Sequence, residues 1–273
     1  MNSLAENFTN AECNAAGRRL RSLRGDPFLF ADWERVLFLH FALPPEVLRS
    51  YITPALELES YDGTAIVSLV ALTMRRFQPV RPFSFGWALR PISCQKFFNV
   101  RTYVRHGDEP GALFLWGWLS NPFPFPAFGL PCAAARMHYQ HDHESGRLGG
   151  EVRAGARQFK YRATISPNFE PSARSSLAEF ALERYTGFFA HRNRTKIFRA
   201  WHPAWPQTSA DVNVEEDNLL AAKFRWFKEA KLIGANFAPG FRRVSLGRVH
   251  SLAEAREKGC KRRHGASAFY EMP

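Results

Sequence analysis

The stretch FFNVRTYVRHGDEPGALFLWGWLS, residues 97–120, decides the fold class. Successive side chains of a strand point to opposite faces, so the first half of the stretch has two different faces. One face carries Phe98, Val100, Thr102 and Val104, and the other carries Asn99, Arg101, Tyr103 and Arg105. HGDEPG has turn chemistry, and ALFLWGWLS returns as a nearly all-apolar strand. The stretch predicts a hairpin whose second strand is buried on both sides or closes a barrel.

Short strands continue on both sides of this hairpin. WERVLFLHFAL and GTAIVSLVALTM precede it, whereas AAARMHYQ, GEVRAGARQ and FKYRATIS follow it with turn signals between them. The three prolines within residues 75–96 predict an irregular loop there. FFAHRNRTKIFRAWH is typical of a further hairpin. This repeated alternation of short strands and turns indicates an antiparallel barrel or sandwich.

Helices are few in this pattern. PPEVLRSYI predicts one or two turns, and SSLAEFALERYTG has the capping spacing of Ser176 and Glu179, with Gly187 as its expected end. SLAEAREKG, from Ser251 to Gly259, predicts another helix. We therefore expect an α+β fold that is mainly β, with a single domain over residues 31–250. Residues 1–30 and the basic residues 251–273 are expected to be extensions.

Composition excludes several classes of protein. Apolar residues make up 45% of the 273 residues, which is enough for a real core. No apolar run is long enough for a membrane-spanning helix, and the N-terminus lacks a signal-peptide pattern. The four cysteines are too scattered for a disulfide framework or a zinc cage. We expect a cytoplasmic protein without a membrane, a metal or another cofactor.

The net charge of +12 indicates a different type of partner. Such an excess of Lys and Arg attracts polyanions, so an adaptor that binds nucleic acid is one hypothesis. The basic residues form no known reading motif, however, and their densest groups are spread along the chain. These groups are RRLRSLR, HRNRTK and KGCKRRH.

Cys132, in AFGLPCAAARM, is the candidate nucleophile. It would need a base such as His138 or His40 within hydrogen-bond reach, whereas a small buried residue is the alternative interpretation. His138, His141 and His143 could bind zinc, but HDHESG also fits a solvated hairpin tip, and we predict no metal site.

Asn99 and Arg101 are the candidate ligand-binding pair. If the strands close into a barrel, their face would line a cavity in which the guanidinium binds a carboxylate. An ordinary solvent-exposed face is the alternative. Around this pair we include further candidates from the same face, from the next strand and from the Cys132 segment. They are Tyr103, Trp116, Trp118, Cys132 and Arg136.

The order of several segments over about residues 31–206 resembles the YqjF-like family of uncharacterised proteins, which has the acetoacetate-decarboxylase-like fold. FNVRTYV and the LP-x-A-A segment are the most specific parts of this resemblance. The others are W..VLFLHFALPPEVL, LELESYDGTAIVSLVALTM, PGALFLW, GGEVRAGARQFKYRA and LAEFALERY. The resemblance implies a closed antiparallel β-barrel or cone with a few peripheral helices, and relatives with this fold often form oligomers, so a homo-oligomer is possible.

The resemblance also suggests which chemistry to test. In acetoacetate decarboxylase, a Pro-Lys-Lys segment supplies the lysine that forms a Schiff base with a β-keto acid. GLPCAA resembles that segment, with Cys132 and Ala133 in place of the lysines, and the glutamate expected near Asn99 and Arg101 is missing. We therefore expect a protein that binds a small carboxylate or keto acid without Schiff-base decarboxylation. A Cys132-dependent enzyme and a polyanion-binding adaptor are the alternatives.

Overall fold

The structure is a computed structural model, and it describes residues 27–80, 94–122 and 129–252. The described strands are β1 Pro27–Leu43, β2 Glu57–Leu58, β3 Ser60–Tyr61, β4 Thr64–Pro79, β5 Cys94–His106, β6 Glu109–Leu119, β7 Cys132–Ala134, β8 Arg136–Asp142, β9 Arg147–Ala154, β10 Arg157–Ile165, β11 Glu170–Pro171, β12 Thr186–His191, β13 Arg194–Trp201, β14 Pro206–Glu216, β15 Lys231–Gly247 and β16 His250–Ser251. The α-helices are α1 Pro45–Leu48, α2 Leu177–Leu182 and α3 Asn218–Lys223, and single 3-10 turns cover Arg49–Tyr51 and Arg225–Glu229.

Seven of these strands pair into a closed ring. The order around the ring is β13, β12, β6, β5, β4, β1 and β15, and β15 pairs back onto β13 through Leu246 and Ala200. The mainly-β, closed fold is therefore confirmed. The ring is not antiparallel throughout, because β12 runs parallel to β6. The long connection from β6 to β12 carries β7–β11 and α2, which lets β12 enter the ring in the same direction as β6.

The ring has a different apolar core on each face. β8, β9, β10 and β14 form a second sheet that covers its outer face, and Phe98 stacks there against Phe159 with ring centroids 5.1 Å apart. Helix α2 packs against the inner core, where Ala181 and Leu182 meet the ring strands. The alternation along β5 decides which residues enter which core: Val100 lies in the outer core and Tyr103 in the inner one.

Helix α2 begins as expected but ends early. The backbone N–H of Glu179 donates to Ser176 Oγ at 3.1 Å, as the capping spacing predicts. Gly187 does not end the helix, because the chain from Thr186 onward pairs with β13. Pairing within the ring therefore prevails over the local helical pattern of ERYTG.

Other boundaries also differ from the sequence-based expectation. Strand β4 reaches Pro79 and β5 begins at Cys94, so the two ends of the expected loop over residues 75–96 are strand, whereas residues 81–93 lie outside the described residues. GEVRAGARQ contains the turn between β9 and β10, and β1 begins before residue 31. The helix expected over residues 251–259 lies almost wholly outside the described residues. The described hairpin of β12 and β13 confirms the prediction for FFAHRNRTKIFRAWH.

Candidate functional site

The interior of the ring contains a cavity of about 380 Å³. All seven ring strands contribute to its wall, so the cavity exists because the ring closes. Its lining residues are Phe28, Leu29, Trp33, Val36, Phe38, Val70, Leu72, Met74, Phe97, Asn99, Arg101, Phe114, Leu119, Leu130, Phe189, Phe198, Trp205, Leu246, Gly247, Arg248 and Val249. Apart from Asn99 and the two arginines, these side chains are apolar or aromatic. Arg248 is exposed, so the cavity meets solvent on that side.

Arg101 is a half-buried cation without a carboxylate partner among the described residues. Its Nη2 donates to the carbonyl oxygen of Ala181 at 2.9 Å, and its guanidinium lies 5.2 Å from the Phe38 ring centroid. Among the described residues, its buried Nε has no hydrogen-bond acceptor. By contrast, Arg184 and Arg199 pair with glutamates. Since a guanidinium has five N–H donors, Arg101 keeps donor capacity for an anion in the cavity.

Asn99 lies two residues away on the same face of β5 and is only 2% exposed. Its Nδ2 donates to the carbonyl oxygen of Val70 at 3.4 Å, whereas no group in the described part of the chain donates to its Oδ1. A carbonyl can only accept, so the contact with Val70 decides which end of the amide is the nitrogen. The other end, Oδ1, is left as an unsatisfied buried acceptor on a residue that lines the cavity.

Trp33 and Trp205 are cavity residues that the sequence analysis missed. Their rings stack with centroids 6.1 Å apart, and each indole Nε1 is buried without an acceptor among the residues that the structure describes. The two residues lie far apart in sequence and come together only because β1 belongs to the ring and the segment after β13 folds against it. No local pattern in the sequence identifies such a pair.

A chain of hydrogen bonds runs beneath Arg101, inside the ring. Asn236 Nδ2 donates to Gln207, so its Oδ1 accepts from His40 Nε2 at 3.0 Å. His40 Nδ1 is then the acceptor for Ser68 Oγ at 2.7 Å, and the Tyr103 hydroxyl donates to Ser68 Oγ at 2.5 Å. This pattern suits a neutral imidazole, and burial lowers the pKa of His40 to about 4.

His202 is a second buried imidazole near Arg101. Its Nδ1 lies 2.7 Å from the carbonyl oxygen of Pro203, and its ring stacks on Phe241 with centroids 5.4 Å apart. Burial lowers the pKa of His202 to about 4, and the positive charge of Arg101 contributes to this shift while the contact with Pro203 opposes it. Both imidazoles are therefore neutral at pH 7, and the charge near them is that of the Arg101 guanidinium rather than their own.

The structure does not bring Cys132 together with a base. Cys132 is half-buried beside Gly117 on β7, it is not among the residues that line the cavity, and burial raises the pKa of its thiol to about 11. Both nitrogens of His40 are occupied, and His138 is exposed beside Gln140. Cys132 therefore has the surroundings of a small packed residue rather than those of an activated nucleophile.

Three other candidates also lie away from the cavity. Trp118 stacks on Phe98 in the outer core, and Trp116 lies under Lys223, whose Nζ is 3.2 Å from the ring centroid. Arg136 is exposed on β8. Neither tryptophan is among the cavity-lining residues, and Trp118 pairs with Phe98 and shares its outward face. Tyr103 does face inward, but its hydroxyl is used by Ser68.

The thiols provide a direct check of this interpretation. Cys94 is exposed, whereas Cys132 is half-buried and has a raised pKa. At pH 8 we expect iodoacetamide to alkylate Cys94 at least about ten-fold faster than Cys132, because only the thiolate reacts. Peptide mass spectrometry over a time course measures both rates in the same sample, and urea-unfolded protein is the control in which the rates converge. Faster labelling of Cys132 would restore it as a candidate nucleophile.

The histidine segment covers β8 and the turn to β9, where His138 and His143 are exposed as in a solvated hairpin, whereas His141 packs against Phe237 with ring centroids 5.2 Å apart. His141 and His143 have ring centroids 3.9 Å apart, but no group of three or more potential metal ligands occurs among residues 27–80, 94–122 and 129–252. Within the same residues, none of the helices has the length and hydropathy needed to cross a membrane.

Solved structures with this fold are distant in sequence. An acetoacetate-decarboxylase-like enzyme from Sphingomonas wittichii RW1 superposes with a TM-score of 0.58 at 14% identity, covering 83% of this chain and 95% of that one. The enduracididine biosynthesis enzyme MppR in complex with pyruvate superposes with a TM-score of 0.54 at 14% identity, covering 85% and 92%. These similarities confirm the expected acetoacetate-decarboxylase-like fold.

Sequence comparison confirms the resemblance noted above. The chain is 24% identical over 201 residues to the uncharacterised protein YqjF of Bacillus subtilis strain 168, covering 70% of this chain and 79% of YqjF. The profile of DUF2071, described as an uncharacterised conserved protein (COG2071), matches residues 31–235. Since this match spans more than half of the sequence, the chain belongs to the DUF2071 family.

Proposed function

We propose that the ring cavity binds a small organic acid whose carboxylate pairs with Arg101. The observation that carries this proposal is a half-buried guanidinium, without a carboxylate partner among the described residues, in the wall of a mostly apolar cavity. In such surroundings a charge-assisted hydrogen bond is stronger than in water, and a bound carboxylate satisfies the free Nε. Arg101 is thus the binding residue of the proposed site.

The binding needs no imine. No lysine occurs among the cavity-lining residues that the structure describes, and a thiol at position 132 cannot form a Schiff base. The distant fold neighbour MppR is in complex with pyruvate, which supports a keto acid or related carboxylate as the type of ligand. Fold similarity alone does not establish a function, so the proposal depends on Arg101 itself.

The substitution Arg101→Met tests this function. We expect it to weaken the binding of pyruvate and of 3-phenylpropanoate by about thirty-fold or more, because a buried charge pair is lost. Isothermal titration calorimetry measures both affinities. Arg136→Met is the matched control, since it removes the same charge from an exposed position and should leave both affinities unchanged. The proposal fails if neither acid binds the unmodified protein, or if both bind the Arg101→Met variant equally well.

The other hypotheses stay predictions from the sequence. Of the three basic groups, only HRNRTK lies among the described residues, in the hairpin of β12 and β13. A cytoplasmic location, a homo-oligomer and a polyanion-binding role each need their own experiment. Salt-dependent binding to a DNA duplex would favour the last of these.

A further inference from the structure

We infer that the acid has a large apolar body and carries a hydroxyl or N–H donor on a carbon next to its carboxylate. This inference rests on the proposed function, since it takes the carboxylate to pair with Arg101. It adds the size of the ligand, its polarity and a second polar contact, which is made by Asn99. Each of these follows from a different property of the cavity wall.

The size of the cavity excludes the smallest acids as good fits. One water molecule occupies about 30 Å³ in the liquid, so a cavity of about 380 Å³ has room for roughly a dozen waters. Pyruvate and lactate have only six bonded non-hydrogen atoms, so either acid would leave more than half of this space to water. A ligand that excludes water from the whole cavity needs a body about as large as a phenylalanine side chain in addition to its carboxylate.

The wall of the cavity requires that this body be apolar. Aromatic side chains surround the space from several strands, among them Phe97 of β5, Phe114 of β6 and Phe198 of β13, with aliphatic side chains such as Leu72 and Leu119 between them. A polar body would lose its water contacts there without finding new partners. Apolar surface gains free energy on entering such a wall, in proportion to the area that is buried.

Asn99 is the residue from which we infer a hydrogen-bond donor in the ligand. Its Nδ2 is directed to the Val70 carbonyl, and its Oδ1 is a buried acceptor that no described group satisfies. Arg101 offers only donors, so the two residues require opposite partners in the ligand. Because they are two apart on one strand face, their Cα atoms are separated by about 7 Å, a distance over which their side chains can reach neighbouring groups of one small molecule. A carboxylate next to a hydroxyl or N–H matches this pair.

The indole donors fit the same ligand. Trp33 and Trp205 line the cavity, and each has a buried Nε1–H to which no described residue offers an acceptor. A carboxylate has more lone pairs than Arg101 alone can satisfy, and the ligand's own hydroxyl oxygen can also accept a hydrogen bond. The two indoles also provide a reporter, because a ligand in contact with them changes their fluorescence.

Four acids separate the contributions of body and donor. Propanoate and lactate share a small body, whereas 3-phenylpropanoate and 3-phenyllactate share a large one, and the second acid of each pair adds the hydroxyl. In tryptophan-fluorescence and calorimetric titrations, we expect the phenyl acids to bind about ten- to one-hundred-fold tighter than the small acids. We expect 3-phenyllactate to bind at least about five-fold tighter than 3-phenylpropanoate.

The variant Asn99→Leu tests the second contact. It should abolish the advantage of the hydroxy acid while 3-phenylpropanoate still binds in an Arg101-dependent manner, which also shows that the variant is folded. If the small acids bind as tightly as the phenyl acids, the inference that the ligand has a large apolar body is wrong. If the hydroxy acid has no advantage, or keeps its advantage in Asn99→Leu, the inference that the ligand donates to Asn99 is wrong. If the affinities for the acids are unchanged in Arg101→Met, the result contradicts the proposed function itself.

Discussion

Acidification from pH 7 to pH 5 is expected to lower the free energy of unfolding by about 4 kcal/mol, about 2 kcal/mol for each of His40 and His202. Both imidazoles are fully enclosed, and burial lowers the pKa of each to about 4. In the unfolded chain their pKa returns to about 6.5. The stabilisation by the neutral imidazoles is therefore present above pH 6.5 and is lost as the pH falls toward 4.

The size of this effect follows from the difference in pKa. Each unit of pKa difference corresponds to about 1.4 kcal/mol. At pH 4 the two histidines together would therefore lower the free energy of unfolding by about 6 kcal/mol. A typical domain is stable by about 5–15 kcal/mol, so this loss is large enough to unfold a marginal protein. Urea unfolding at pH 7, 6 and 5 measures the change.

The variant His202→Phe isolates one of the two contributions. A phenyl ring can keep the stacking on Phe241 and has no proton to bind, so the loss of stability between pH 7 and pH 5 should be roughly halved. His138→Gln is the control, since His138 is exposed on β8, and the loss should stay as in the unmodified protein. If stability changes with pH equally in all three proteins, then the buried imidazoles do not cause the effect.

Gly240→Ala is expected to destabilise the protein by more than about 4 kcal/mol and to open the ring where β1 meets β15. The backbone at Gly240 has φ of +104°, which a side chain makes costly. A Cβ there would lie 1.9 Å from the carbonyl oxygen of Trp33, and this contact is with backbone, which has little freedom to move. Thermal and urea unfolding measure the loss.

Gly234→Ala is the matched control, because Gly234 also lies in β15 and a Cβ there would meet only Leu177, at 4.0 Å. We expect its stability to stay within about 1 kcal/mol of the unmodified protein. Since Trp33 lines the cavity, any folded Gly240→Ala protein should also bind 3-phenylpropanoate more weakly. Equal stabilities for the two variants would contradict the close approach of the strands.

The neutral imidazoles also affect the proposed site. Burial is the main reason for the low pKa of His40 and of His202, and the positive charge of Arg101 lowers the pKa of both further. If either ring were protonated, it would add a further cation close to Arg101. At pH 7 both rings are neutral, and a bound carboxylate would offset the charge of the half-buried Arg101 guanidinium.

Much of the strand pattern was predictable from the sequence. The alternation in FFNVRTYV places Asn99 and Arg101 on one face because the side-chain period of a strand is two, whatever the strand packs against. The turn at Gly107 and the cap at Ser176 are local in the same sense, since they depend on backbone conformation and on one nearby side chain. The early end of helix α2 was not predictable, because its cause is pairing with a strand that follows later in the chain.

What the sequence determined by itself is therefore which residues share a face, and what only the tertiary structure decided is what each face meets. From the sequence, Trp118 could cover a cavity or enter a core, and its pairing with Phe98 places it in the outer core. Arg101 could face solvent or a cavity, and the closure of β13 on β15 made the cavity. Closure depends on contacts between strands that are distant in the chain, and such contacts leave no periodic signal in the local sequence.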